Sequence, residues 1–205
     1  MTEERKPKGF VVGLVGPSGS GKSTVGCLMS EWGGVPVVDA DTVAHRVMEE
    51  DPLCLKKLRA AYGEGIFQDG ALDRKALGAI VFCSPEKLKL LGDITYPFII
   101  EACREALDRH FEAGARAAVL DAPTLFESGA SWLCSEIVAV VMPRERRIMR
   151  IMARDSISRE AAEARLRNQF EDSFYTSRAG FVIHNDGDFR HLEDEVEKCR
   201  SFLNL

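Results

Sequence analysis

The sequence predicts an α/β fold in three layers, with a parallel sheet of five strands, a helical insertion and a lid segment. Short apolar runs that suit buried strands alternate with patterns that suit helices, which is typical of a parallel sheet joined by crossover helices. A glycine-rich loop connects the first apolar run to the first helix. The alternation stops at residues 51–114, where helical patterns dominate, and then resumes.

The individual elements follow from the period and length of the apolar runs. Five short runs predict the strands of the sheet, at residues 10–15, 35–38, 117–121, 137–142 and 181–183. Helical patterns outside the insertion occur at residues 22–32, from about 41, at 144–154, from the expected N-cap Ser158, and at 189–203. Within the insertion, helices are expected at 53–62 and 73–82, and a longer pattern at 88–111 is interrupted at Pro97.

Composition and charge describe an ordinary globular chain of 205 residues with a net charge of −5. This mild acidity gives no support for nucleic-acid binding, and no apolar run reaches the roughly 18–20 residues that span a bilayer. Residues 1–8 form a short charged tail that lacks the apolar segment of a signal peptide. The six cysteines form no Cys-x-x-Cys pair, which indicates buried free thiols in a reducing compartment. We therefore expect a cytoplasmic protein, and we favour a monomer.

The glycine-rich loop fits the phosphate-binding P-loop, Gly16-x-x-x-x-Gly21-Lys22-Ser23, between a strand and a helix as this motif requires. The fold is therefore predicted to be P-loop NTPase-like. Lys22 is expected at the β- and γ-phosphates of a nucleotide, the Ser23 hydroxyl on Mg²⁺ and Thr24 at the α-phosphate. The predicted nucleotide-binding residues of the loop are Gly16, Pro17, Ser18, Gly19, Ser20, Gly21, Lys22, Ser23 and Thr24.

Three aspartates stand at predicted strand ends, where ligands bind in open α/β sheets. Asp39 and Asp41 follow the second strand, and either one could accept a proton from an attacking hydroxyl or cap the next helix. Asp121 ends the third strand after four apolar residues, which is the placement of an acid that holds Mg²⁺. A plain turn aspartate is the alternative for Asp121.

Arginines crowd one segment late in the chain, where they could neutralise charge during phosphoryl transfer. Arg150 and Arg154 are four residues apart and share a helix face. A solvated basic helix is the alternative for any single arginine, and we interpret Arg144, Arg146 and Arg147 in that way.

From about residue 11 to 202 the chain resembles the dephospho-CoA kinase family. After the P-loop, the motifs that carry the resemblance follow in the family's order: Gly34-Val35-Pro36-Val37-Val38-Asp39-Ala40-Asp41 with Ala44-His45, Leu72-Asp73-Arg74-Lys75-Ala76-Leu77 with Phe82, Pro123-Thr124-Leu125-Phe126-Glu127, Arg150 with Arg154-Asp155, Arg165 with Gln169, and Val182-Ile183-His184-Asn185. The chain departs from the family at Tyr96-Pro97, where His-Pro is usual, and at Ala179-Gly180, where Ala-Asp is common.

The resemblance implies an enzyme that phosphorylates the ribose 3′-hydroxyl of 3′-dephospho-CoA with ATP, giving CoA and ADP in the last step of coenzyme A synthesis. It implies a nucleotide-binding core at residues 8–50 and 115–205, an acceptor-binding insertion at 51–114, and a lid at 154–170. Asp41 matches the catalytic base, assisted by Lys22 and Arg150. Further nucleotide contacts fall on Arg150, Arg154 and Asn185, and the acceptor contacts on Asp41, His45, Asp73, Arg74, Tyr96 and Pro97.

Two other functions stay open from the residues alone. Another P-loop kinase acting on a nucleoside or nucleotide would share the core, the arginines and the acid after the second strand. A nucleotide-dependent switch or ATPase would use water as the nucleophile and would need switch loops. The size and helical character of the insertion and the Asp-Ala-Asp spacing favour the dephospho-CoA acceptor.

Overall fold

A computed structural model of the protein describes residues 5–167 and 169–205. The start of the predicted charged tail, residues 1–4, and residue 168 of the predicted lid lie outside the described residues. The strands are β1 (Phe10–Val15), β2 (Val37–Asp39), β3 (Phe67–Gln68), β4 (Ala71–Leu72), β5 (Ala117–Asp121), β6 (Glu136–Val141) and β7 (Phe181–His184). The α-helices are α1 (Lys22–Ser30), α2 (Ala40–Glu50), α3 (Pro52–Tyr62), α4 (Arg74–Val81), α5 (Pro85–Glu112), α6 (Arg144–Asp155), α7 (Arg159–Arg167), α8 (Asp172–Thr176) and α9 (Phe189–Leu203).

The main sheet has five strands in the order β2-β5-β1-β6-β7. Strand β1 pairs in parallel with β5 and with β6, and β6 pairs in parallel with β7. Because β1 is central, the residues that follow it lie at the middle of the sheet's carboxyl edge, where ligands bind in folds of this type. The predicted fold class is confirmed.

Helices α1 and α9 cover one face of the sheet. Val12 and Leu14 of β1 belong to one buried cluster with Val25 of α1 and Val196 of α9. Burial of an aliphatic side chain of this kind contributes about 1.5–3 kcal/mol, so this contact fixes α1, and with it the end of the P-loop, on the sheet.

The other face of the sheet is covered as well. Val11 and Val15, which alternate with the residues of the first face, are fully buried. A Cβ built on Gly13 would lie only 3.0 Å from Leu125, so the segment after β5 packs on this face. The sheet is thus the middle of three layers, which explains why its strands are near-continuous apolar runs.

The prediction of an interruption at Pro97 is wrong, because α5 continues through this residue from Pro85 to Glu112. A proline inside a helix costs about 3 kcal/mol or more, since one backbone hydrogen bond is lost and the ring crowds the preceding turn. Helix α5 buries Thr95, Cys103 and Leu107, and the Thr95 hydroxyl donates to the Leu91 carbonyl at 2.8 Å. Burial along the helix offsets the local cost.

Smaller differences concern short elements. Strand β2 spans residues 37–39, two residues later than its expected start. The insertion at residues 51–114, predicted to be helical, also contains a hairpin of two strands with two residues each, β3 and β4. The short helix α8 was not predicted, because its sequence shows no apolar period. Both are too short for the apolar period to show.

The chain divides into two compact units, one of residues 1–38 and 107–205 and the other of residues 39–106. The first unit holds most of the sheet with α1, α6, α7, α8 and α9, and the second holds α2, α3, α4, the hairpin and most of α5. This division differs from the predicted boundaries at 51 and 114, because it includes α2 in the second unit and residues 107–114 in the first. Among the described residues, no helix combines the length and the apolar character needed to cross a membrane.

Candidate active site

The P-loop directly follows the central strand β1 and leads into α1, whose first residue is Lys22. The Lys22 ammonium group donates to the Gly16 carbonyl at 2.8 Å and lies 3.4 Å from the Pro17 carbonyl. The Ser20 N–H closes the turn on Pro17 at 3.2 Å. The loop therefore folds back on itself, and the Lys22 side chain is bonded to the backbone at the start of the loop.

Gly21 is one of the glycines of the loop at which a side chain would meet a steric restriction. Its φ of +100° and ψ of +20° lie in the left-handed region, which an L-residue adopts at a cost. A Cβ there would lie 2.9 Å from Arg150 Nη1 and would overlap Asn185 Nδ2. Arg150 and Asn185 therefore lie directly against the loop that carries Lys22.

Asn185 holds the loop from the far end of the sheet. Its side-chain N–H group donates to the Ser20 carbonyl at 2.8 Å, and its own backbone N–H donates to Val141 at 2.9 Å. Asn185 is buried, so this bond is shielded from water. The Ser20 hydroxyl is also fully buried, and it has no hydrogen-bond partner within the described part of the chain. A buried polar atom in that state is typical of a loop shaped for a polar ligand.

The two predicted Mg²⁺ residues lie at the ends of neighbouring elements. Ser23 is exposed in the first turn of α1. Asp121 ends β5 beside β1, paired in register with Leu14, two residues before the P-loop begins. A hydroxyl and a carboxylate oxygen are hard ligands that suit Mg²⁺. The donor set therefore fits the metal that the motif predicts.

Helix α6 packs against the P-loop. A Cβ on Gly19 would lie 3.0 Å from the Arg147 carbonyl and 3.2 Å from Ile151. The interpretation of Arg147 as a solvated arginine is wrong, because this residue is only 7% exposed and its Nη2 lies 3.3 Å from Asp172 Oδ1. The pattern of apolar residues in the sequence does not indicate that the arginine at position 147 is buried. Arg146 also has a structural partner, since it donates to the carbonyl groups of Asp186 and Gly187.

Three arginines of the predicted lid, Arg154, Arg159 and Arg165, are paired with nearby acids. Arg154 donates through two nitrogens to the Asp155 carboxylate at 2.8 and 2.9 Å, and Arg165 donates to the same carboxylate. The hydrogen bond from Arg154 is the main reason that the pKa of Asp155 falls to about 2. Arg154, predicted at the nucleotide phosphates, is thus bound to Asp155 here, whereas Arg150 lies at the P-loop.

In the second unit, the two aspartates after β2 have different structural positions. Asp39 is the N-cap of α2, and its carboxylate accepts from the backbone N–H groups of Asp41 at 2.8 Å and Thr42 at 3.3 Å. Asp41 lies in the first turn of the helix and is exposed, with His45 four residues later on the same helix face. Burial raises the pKa of Cys103 in α5 to about 12, with a further contribution from the Asp39 charge nearby.

The other predicted acceptor residues are distributed over α4 and α5 of the second unit. Asp73 caps α4 by accepting from the backbone N–H groups of Lys75 and Ala76, at 2.9 and 3.0 Å. Arg74 lies 3.9 Å from the Glu49 carboxylate and is partly exposed. Tyr96 and Pro97 are neighbours inside α5. Asp73 therefore has a structural role as the N-cap of α4, which is a role that aspartate often has at the start of a helix.

One further residue at the P-loop received no role from the sequence. The Gln169 side-chain oxygen accepts from the Ser18 N–H at 2.9 Å, although 151 residues separate the two. Its appearance in a motif of the resembled family was the only signal available.

Comparisons with known proteins agree on one family. The family model described as dephospho-CoA kinase matches residues 10–191. A dephospho-CoA kinase of Geobacter sulfurreducens is 38% identical over 189 residues, which are 92% of this chain and 95% of that protein. The crystal structure of TT1252 from Thermus thermophilus is 34% identical with a TM-score of 0.78, covering 97% of this chain and 99% of that one. The dephospho-CoA kinase from Campylobacter jejuni is 29% identical with a TM-score of 0.68, covering 94% and 96%.

Proposed function

This chain belongs to the dephospho-CoA kinase family, whose reaction is the last step of coenzyme A synthesis, and we propose that ATP is its phosphate donor. The acceptor is the ribose 3′-hydroxyl of 3′-dephospho-CoA, and the products are CoA and ADP. One observation supports this activity most strongly. A P-loop closed by Lys22 has Arg150 and Asn185 against the same glycine, so two cationic groups and a cradle of backbone N–H groups meet at one site.

The P-loop and its neighbours bind and orient the triphosphate. The left-handed turn at Gly21 and the N-terminus of α1 direct backbone N–H groups toward phosphate oxygens. Lys22 and Arg150 supply positive charge for the β- and γ-phosphates, where charge develops in the transition state. Both lie on helices that pack on the sheet or on the loop, and the Lys22 ammonium group would exchange its bonds to the Gly16 and Pro17 carbonyls for phosphate oxygens.

Ser23 and Asp121 would hold Mg²⁺, Asp121 through water. The ion, when bound, neutralises charge on the β- and γ-phosphates. Asp121 is positioned for this task by the parallel pairing of β5 with β1, which carries its carboxylate to the edge of the sheet beside the P-loop.

We assign the general base to Asp41. Asp39 accepts the N–H groups at the start of α2 and so fixes the helix, and Asp41, an exposed carboxylate in its first turn, would take the proton of the ribose hydroxyl. His45 on the same helix face, with Arg74, Tyr96 and Pro97, is proposed for contacts with the acceptor. Asp73 contributes by capping α4, which sets the position of Arg74.

The domain roles follow from this assignment. The core at residues 8–50 and 115–205 binds ATP, the insertion at 51–114 binds dephospho-CoA, and the lid at 154–170 supplies Arg154. All six cysteines are free thiols, which supports a reducing compartment such as the cytoplasm.

A substrate panel tests the proposed function. Purified protein is given ATP and Mg²⁺, and ADP release is followed with dephospho-CoA and, separately, with nucleosides, nucleotides and small acids. We expect release to depend on dephospho-CoA. Faster turnover of a nucleoside or nucleotide would assign the chain another acceptor, and equal release without any acceptor would indicate an ATPase.

A further inference from the structure

Residues 169–176 connect the end of the lid helix to the last part of the core, and we call them the anchor segment. At its start, Gln169 accepts a hydrogen bond from the Ser18 N–H of the P-loop at 2.9 Å. The lid helix α7 ends at Arg167, two residues earlier. The segment therefore joins the lid to the phosphate-binding loop by a specific polar contact.

A second contact fastens the anchor segment to α6. Asp172 Oδ1 lies 3.3 Å from Nη2 of Arg147, a residue that is 7% exposed. The backbone of Arg147 is packed on Gly19, because a Cβ there would lie 3.0 Å from the Arg147 carbonyl. The ion pair thus connects the anchor segment to the turn of α6 that touches the P-loop.

This ion pair joins the buried side chain of Arg147 to a partly exposed one, since the Asp172 side chain is 38% exposed. Removing the Arg147 guanidinium from water is costly, and this ion pair by itself is weak evidence for stability. Within residues 5–167 and 169–205, Arg147 Nε is buried without a hydrogen-bond partner, so the desolvation of the guanidinium is only partly offset. Asp172 Oδ1 likewise has no hydrogen-bond partner among these residues, so charge attraction holds the pair, and a positional role gives a reason for it.

Aromatic packing completes the attachment. Tyr175 is buried, and burial raises its pKa to about 12, with the Glu127 charge adding to the shift, so the hydroxyl stays neutral at physiological pH. Phe174 stacks on Phe170 at 3.8 Å between ring centroids and meets Phe126 edge-on at 5.7 Å. These aromatic contacts involve Phe170 near the start of the anchor segment and Phe174 and Tyr175 near its end.

We propose that Gln169 and the Arg147–Asp172 pair are positioning residues that keep the Ser18–Gly19 part of the P-loop in its ATP-binding conformation. This inference depends on the proposed function only in naming ATP as the ligand. A ligand that binds one conformation has an apparent affinity reduced by the fraction of molecules in that conformation. One net hydrogen bond corresponds to about a two- to tenfold change in the equilibrium constant between the conformations, and to the same change in that fraction once the ATP-binding conformation becomes the minor one.

The first test replaces Gln169 by Met, which has a similar length but cannot accept the Ser18 N–H. We expect the dissociation constant of ATP, measured by calorimetry, to rise about fivefold, the middle of that range. The KM for ATP should rise in parallel, while kcat at saturating ATP stays within twofold and Tm does not change. Glu171→Gln is the matched control, because Glu171 is exposed, two residues away, and makes no capping bond through its side chain.

The second test keeps the fold by removing both charges at once, in Arg147→Met/Asp172→Leu. We expect Tm to stay close to that of the parent, because the pair is only partly buried, and the dissociation constant of ATP to rise about fivefold, as in the first test. A dissociation constant for ATP within 1.5-fold of the parent in either folded variant would overturn the proposal. Turnover of dephospho-CoA by the parent tests the proposed function separately, because the anchor is judged only by ATP affinity relative to the parent.

Discussion

The substitution Gly21→Ala tests whether the P-loop geometry described here is needed for catalysis. An alanine at a φ of +100° costs about 1–2 kcal/mol in backbone strain. Its Cβ would also overlap Asn185 and lie 2.9 Å from Arg150, so the buried bond from Asn185 to the Ser20 carbonyl is lost. Leaving that carbonyl unsatisfied adds about 1–3 kcal/mol. The sum, about 2–5 kcal/mol, disfavours the loop conformation that binds ATP, and a loop that relaxes out of it by this amount loses at least thirtyfold in kcat/KM for ATP, since each 1.4 kcal/mol is tenfold.

Gly129→Ala is the matched control for this experiment. Gly129 has a similar backbone, with φ of +73° and ψ of +16°, but nothing lies within 4 Å of a Cβ built there. The control should therefore show the backbone strain alone, a fall in Tm of roughly 2–8 °C, with normal activity per folded molecule. Initial rates at varied ATP and a thermal melt are measured for both variants. If the two variants lose activity equally, contact with Arg150 and Asn185 does not explain the role of Gly21.

Three further predictions concern carboxylates. Asp41→Asn should lower kcat by about 10²–10⁴-fold with an almost unchanged ATP dissociation constant, because an amide cannot accept the proton of the acceptor hydroxyl; if Asp41→Asn keeps more than half its activity while the cap variant Asp39→Asn is inactive, the two roles are reversed. Asp121→Asn should weaken the Mg²⁺ dependence of turnover more than the binding of dephospho-CoA, and an unchanged Mg²⁺ titration would return Asp121 to the role of a turn residue. Arg154 lowers the folded pKa of Asp155 to about 2, below its ordinary value of 3.8, so the stability that Asp155 contributes is fully present above that ordinary value and is lost as pH falls toward 2. The Tm difference between the parent and Asp155→Asn should therefore narrow across that pH window, and a constant difference would exclude the linkage.

The sheet and the P-loop could be predicted from the sequence because each has a strong local signal. The strands are buried on both faces and are therefore continuous apolar runs, and the motif from Gly16 to Ser23 fixes residue types at every position that the geometry constrains. Pro97 misled the prediction because its local preference is overridden by burial along α5, a tertiary effect. Propensity is a weak guide where packing decides.

The site was only partly predictable because several of its contacts join distant parts of the chain. Nothing near Arg147 in the sequence shows that Asp172 partners it, and nothing near Ser18 points to Gln169. The choice between Asp39 and Asp41 also needed the structure, since either aspartate suits a helix N-terminus and only the hydrogen bonds show that Asp39 is the cap.

The most direct measurement of the central claim is the stoichiometry of products from ATP and dephospho-CoA. The parent and Lys22→Ala are incubated with both substrates and Mg²⁺, and ADP and CoA are quantified by chromatography with mass detection against authentic CoA. The proposed function predicts equal molar amounts of ADP and CoA from the parent, and neither from folded Lys22→Ala. ADP formed without CoA, or a phosphorylated product that separates from authentic CoA, would contradict it.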